Sequence, residues 1–112
     1  MKTNLIQHFS LLLILLATLN ARGSTIEGTI TDVRTGDQLM GANVMLDGTM
    51  LGAASDENGY YLITNVPIGS YTVKAMFIGY ESIEKEVRVE ADAEYIIDIA
   101  LKPSAIELQE TK

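Results

Sequence analysis

The sequence predicts an all-β fold, a seven-stranded antiparallel β-sandwich, on three observations. Apolar and polar residues alternate with a period of two through most of the chain after residue 24, the pattern of half-buried strands. Turn signals rich in Gly, Asp, Asn and Pro interrupt this alternation at roughly the 8–12-residue spacing of a small sandwich. No ten-residue stretch in the same region carries an apolar stripe at helical spacing.

The first strand, 25–33, places Ile26, Gly28 and Ile30 on one face and Glu27, Thr29 and Thr31 on the other. Thr35-Gly36-Asp37 then turns the chain. In the second, 42–47, Ala42, Val44 and Leu46 alternate with Asn43, Met45 and Asp47. Asp47-Gly48-Thr49 leads into a third, 50–55, and Asp56-Glu57-Asn58-Gly59 into a fourth, 60–65. Pro67-Ile68-Gly69-Ser70 separates it from the fifth, 71–78, where Val73, Ala75 and Phe77 share a face. Gly79-Tyr80 precedes the sixth, 83–90, with Ile83, Val87 and Val89 in phase. The seventh, 94–101, aligns Tyr95, Ile97, Ile99 and Leu101 against Ile96, Asp98 and Ala100. From Pro103 the alternation fades, so 103–112 reads as a tail or linker.

Two sheets packed face to face would bury Ile26, Ile30, Val44, Leu46, Tyr61, Ile63, Val73, Ala75, Phe77, Val87, Val89, Ile97, Ile99 and Leu101. Each large side chain among them contributes roughly 1.5–3 kcal/mol, most of it offset by the entropy of ordering the chain. A domain spanning 24–102 can stand on this core without metal or cofactor.

Residues 1–23 read differently. Lys2, the apolar run Phe9–Leu19 and the small residues of Ala21-Arg22-Gly23 make a secretory signal peptide, cleaved after Gly23 or after Ala21. The run, about 11 residues, is too short for a membrane span, which needs roughly 20. No Cys follows it, which excludes a bacterial lipoprotein anchor. The expected destination is the cell envelope, periplasm or outer membrane.

The formal net charge is −7, from 15 acidic and 8 basic residues, and two of the basic ones, Lys2 and Arg22, fall in the leader. An acidic surface repels phosphate backbones and anionic membrane faces, so nucleic acid is not an expected partner. The chain has no Cys and a single His, His8, also in the leader. This removes Cys nucleophiles, His general bases and the common zinc sites together. The domain is expected to be a monomer, not an enzyme, with no catalytic residue, metal or cofactor.

One stretch, SDENGYY at 55–61, tests that expectation. A calcium loop starting at Asp56 would want an oxygen ligand at Tyr60, Gly at Tyr61 and Glu at Pro67, and no helices flank it. Asp56 and Glu57 diverge in a turn, and nothing near them in sequence would raise one carboxyl pKa for acid–base work. A hairpin turn accounts for every residue: Asp56 accepts backbone N–H groups two residues on, and Gly59 supplies positive φ. Tyr61 should then point inward with Ile63, and Tyr60 outward. Tyr60 and Tyr80, both near turns, are the candidate ligand contacts, able to stack on a sugar ring or to pack at a strand end. The methionines follow no ligand spacing, and no N-glycosylation acceptor exists.

Taken together, Gly28-Thr29-Ile30-Thr31-Asp32, Thr35-Gly36, Leu39-Met40-Gly41-Ala42-Asn43-Val44, Asp56-Glu57-Asn58-Gly59-Tyr60-Tyr61, Val66-Pro67-Ile68-Gly69-Ser70-Tyr71 and Ile78-Gly79-Tyr80 form a pattern. It resembles the carboxypeptidase regulatory-like domain over residues 26 to 101. The resemblance implies a transthyretin-like (prealbumin-like) Greek-key sandwich that is a structural or interaction module; in carboxypeptidases the zinc lies in a separate domain. Gln38 stands where the family usually has Pro, and Tyr61 where it has Phe; Tyr61 fits the core if its hydroxyl finds a partner.

A leader followed directly by such a domain and a short tail looks like the start of a TonB-dependent outer-membrane receptor of the Bacteroidetes kind. There the domain precedes a TonB box, plug and barrel, which would make any membrane contact. The leading expectation is therefore a periplasmic interaction module for energy-transducing or signalling partners in transport. The alternatives are a free-standing secreted sandwich binding carbohydrate or protein, and a passive spacer.

Overall fold

The computed structural model describes residues 23–105; the signal-peptide reading and the tail beyond 105 lie outside the described residues. The elements are β1 (Ser24–Asp32), β2 (Asn43–Leu46), β3 (Gly52–Ala54), β4 (Tyr60–Val66), β5 (Gly69–Met76), β6 (Ile83–Val89), β7 (Glu94–Ile96) and β8 (Ile99–Leu101). They form two sheets. In one, β1 is central, with β4 antiparallel on one side and β7 and β8 on the other; the second runs β3-β2-β5-β6, antiparallel throughout.

The alternation in the sequence is the burial pattern of the strands. Along β1 every second residue from Ser24 to Asp32 is buried, and β4 buries Tyr61, Ile63 and Val66. Between the sheets these residues meet Val44, Leu46, Val73, Ala75, Val89, Ile99 and Leu101. Ala42, in phase with Val44 and Leu46, joins this core, and so do Leu39 and Val66, which the alternation did not place inside. Phe77, Val87 and Ile97, expected inside, are only half-buried and pack at its margin. Phe77 follows the end of β5, and Val87 sits on the edge strand β6.

The expected seventh strand is two strands, β7 and β8, and both pair with β1 in parallel rather than antiparallel. The break falls at Ile97–Asp98 and has a local cause. A Cβ on Gly28 would collide with the Ile97 carbonyl oxygen, so only glycine lets that backbone lie against β1. Ile97 N–H donates to the Glu27 carbonyl (2.7 Å). Asp98 then replaces the lost ladder partner: its Oδ1 accepts from Thr29 N–H at 2.9 Å and from Thr29 Oγ1 at 3.2 Å. Among the described residues no buried side-chain N or O lacks a partner.

The SDENGYY segment is the expected tight turn, but it does not close a hairpin: β3 pairs with β2 and β4 with β1, so the turn carries the chain from one sheet to the other. Asp56 Oδ1 accepts from Asn58 N–H and Tyr60 N–H, both at 2.9 Å, and Gly59 has φ +76°. Tyr61 is inward and Tyr60 outward. Ser55, just before the turn, is buried: its hydroxyl donates to the Leu39 carbonyl (2.6 Å) and accepts from Ala42 N–H (2.9 Å). It thereby ties the 39–42 segment to the entry of the turn.

Candidate interaction surface

The outer face of the β4-β1-β7 sheet is where apolar side chains stand unpartnered. Strand register builds it. Glu27 of β1 lies opposite Leu62 of β4 and, on its other side, beside Ile96 of β7. Residues so paired share a face and approach to about 5 Å. Leu62 is 42% exposed and Ile96 75%. Thr29 faces Tyr60 one pair further along, and Thr25 faces Glu94. The result is a row, Leu62–Glu27–Ile96, across three strands, with Tyr60 beside it.

Tyr60, 37% exposed, is held at this row: its hydroxyl donates to Glu27 Oε1 at 2.8 Å. The bond to the carboxylate is the main reason the phenol pKa is raised above its usual value. A neutral tyrosine on a carboxylate, flanked by Leu62 and Ile96, makes an amphipathic patch. Its aromatic and aliphatic parts can be dehydrated by a partner, while Glu27 supplies an acceptor.

Tyr80 belongs to a different place. Its hydroxyl donates to Asp32 Oδ2 at 2.6 Å, and its ring packs against Phe77 with centroids 5.5 Å apart. Asp32 is on the inward face of β1, whereas Glu27 is on the outward face, so the two tyrosines contact opposite faces of one strand. Asp32 Oδ1 also accepts from Arg34 N–H (2.7 Å) and Thr35 N–H (3.3 Å). The Tyr80 bond first, then the backbone donors, hold the Asp32 carboxyl below its usual range; the same bond raises the Tyr80 phenol. Chemically this cluster closes the end of the sandwich and ties the Ile78-Gly79-Tyr80 turn to β1.

Sequence reasoning picked out Tyr60 and missed Leu62, Ile96 and Glu27 around it. The signal was there: Leu62 in Tyr60–Val66 and Ile96 in Glu94–Ile96 are apolar residues in the outward phase, so the alternation is incomplete. A shallow hollow elsewhere, lined by Gly41, Asn43, Met76, Phe77, Ile78 and Ser82, exposes Ile78 at the same end as Tyr80. Among the described residues no three Asp, Glu or His side chains gather to hold a metal ion.

Comparison with known proteins fits this picture of a non-catalytic β-sandwich. Residues 26–112 match the CarboxypepD_reg-like domain. The chain is 30% identical over 102 residues to TonB-dependent receptor P3 of Formosa agariphila; the match covers 91% of this chain and 10% of that receptor. The chain thus spans about a tenth of the length of this curated relative. Among solved structures, a chain of the type II cohesin–X-dockerin complex (Coh3ScaB-XDoc_M1ScaA) from Acetivibrio cellulolyticus is similar at 34% identity, TM-score 0.56, covering 69% of this chain and 53% of that one. The Bacillus anthracis TIE protein shares the fold at 18% identity, TM-score 0.58, covering 74% of this chain and 17% of that one. The family match spans most of the chain, and the chain belongs to that family: it is a carboxypeptidase regulatory-like domain.

Proposed function

We propose that this domain, with residues 1–23 as its export signal and 103–112 as a linker, is the periplasmic N-terminal module of a TonB-dependent outer-membrane receptor. In this reading it docks a protein partner on the Leu62–Glu27–Ile96 row. The observation that carries the reading is the 30% identity to a receptor over 91% of the chain. The row supports it as the place of contact, because it gathers exposed apolar groups around one acceptor without any catalytic constellation. The role is to position a partner in the envelope; choosing a transported substrate is left to other parts of a receptor.

The test is made in cells that carry the gene with its natural downstream sequence. Leu62→Ser with Ile96→Ser should leave the amount of protein in the outer membrane unchanged and lower substrate uptake or the signalling output several-fold. Deletion of 24–102 with uptake, signalling and protein level all unchanged would sink the reading in favour of a spacer.

A further inference from the structure

The outer row ends at a strand edge that the fold leaves open. Glu27 C=O accepts from Ile97 N–H (2.7 Å) and Thr29 N–H donates to Asp98 Oδ1 (2.9 Å), so these residues of β1 turn their backbone polar groups toward β7 and β8. Ile30 N–H, one residue on, donates to the Gly59 carbonyl (2.7 Å), toward β4. In an antiparallel ladder the residues opposite Glu27 and Thr29 are therefore those whose backbone groups point away from β1. They are Leu62 and Tyr60. Tyr60 is satisfied by the turn: its N–H donates to Asp56 Oδ1 and its C=O accepts from Asp56 N–H. Leu62 N–H and C=O have no protein partner among the described residues.

The other edges are guarded. β6 carries Glu84, Lys85, Glu86 and Arg88, and β3, β7 and β8 are three residues each. Charge and shortness are the usual protections against strand addition. β4 has neither: it is seven residues long, YYLITNV, without a charge. At its start the 55–59 turn presents Asp56 and Glu57, both exposed.

We propose that β4 takes an extended segment of another protein as an added strand, through Leu62 N–H and C=O. The segment is neutral where it crosses β4 and carries Lys or Arg at the end that meets Asp56 and Glu57. A second copy of this chain fits less well, because a molecule of formal charge −7 repels its like. The proposal deepens the docking reading above and rests on it for the partner's being a protein.

The probe is a blocked synthetic peptide of alternating Thr and Val with Lys at each end, titrated into the isotope-labelled full chain. Saturable binding is expected, with the largest amide shifts at Tyr60, Leu62 and Thr64. Leu62→Pro removes the outward N–H without touching the β1 ladder and should weaken binding about tenfold or more. Leu62→Thr keeps the N–H and should stay within about threefold. The same peptide N-methylated throughout keeps every side chain, loses every backbone donor and should not bind; this arm does not depend on any variant folding. Absence of binding up to millimolar peptide, or equal binding of the N-methylated peptide, overturns strand addition. So does a dimer in sedimentation that Leu62→Pro dissolves, since the edge would then serve a second copy. None of these results disturbs the docking test, because Leu62→Ser and Ile96→Ser change side chains of the row and keep the backbone N–H of the edge.

Discussion

The Tyr61 hydroxyl donates to the Ile97 carbonyl at 2.6 Å, across the core and onto the backbone that interrupts β7 and β8. Tyr61 is 1% exposed, and burial, with the Asp98 charge adding to it, pushes its phenol well up, so it is a donor at all ordinary pH. The family's usual Phe at this position would fill the same space without reaching that carbonyl. Tyr61→Phe should therefore lower stability by about 1 kcal/mol, the net worth of one such bond, or roughly 5 °C in melting temperature for a domain of this size. Thermal and denaturant unfolding would check it; an unchanged midpoint means water serves the carbonyl as well.

Gly28 is the other half of this arrangement. A Cβ at this position would overlap the Ile97 carbonyl oxygen, and because that neighbour is backbone, Gly28→Ala cannot be absorbed by a side-chain rotation. The expected cost is about 3 kcal/mol or more, the upper range of overpacking. Hydrogen exchange should show the loss first at β7 and β8, while β5 and β6 stay protected.

Ser55 gives a third test. Its hydroxyl is both donor to Leu39 and acceptor from Ala42, and it is 5% exposed. Ser55→Ala strands a buried N–H and a buried C=O, with an expected loss of about 2 kcal/mol. Ser55→Thr, which keeps the hydroxyl, should recover part of it if the added methyl fits.

Asp32 and Tyr80 predict a pH dependence with a definite sign. The folded Asp32 pKa lies below its ordinary value of 3.8, first because of the Tyr80 hydroxyl and then the Arg34 amide. Its contribution to stability is therefore complete above about pH 3.8 and is lost as pH falls through the lower folded value. Tyr80→Phe should move the Asp32 titration, followed by carboxyl NMR, upward toward 3.8. Asp32→Asn should flatten the acid limb of the stability profile. A wild-type acid limb in Asp32→Asn would assign the dependence to other carboxylates.

Much of the molecule was legible in the order of its residues. Period-two alternation reports a strand with one face dry, and this held for β1, β2, β4 and β5, where the inward residues are those expected. The turn at 56–59 was legible too, because Asp56 and Gly59 act on backbone within four residues of themselves; that it passes between sheets instead of closing a hairpin was not. What stayed hidden depends on contacts far apart in the chain. Leu39 is buried where the Ser55 hydroxyl, 16 residues away, holds its carbonyl. The break at Ile97–Asp98 arises because Gly28, on a different strand, lets the backbone come close, and no local pattern in 94–101 marks it. Tyr60 and Tyr80 looked alike as tyrosines beside turns, yet one meets the outward Glu27 and the other the inward Asp32. Strands, turn and family thus follow from residue order alone, since propensity and alternation are local properties. Which strand edge is open, and which outward apolar residues share a row, depend on how the strands are paired, because register is a relation between segments and no single segment carries it.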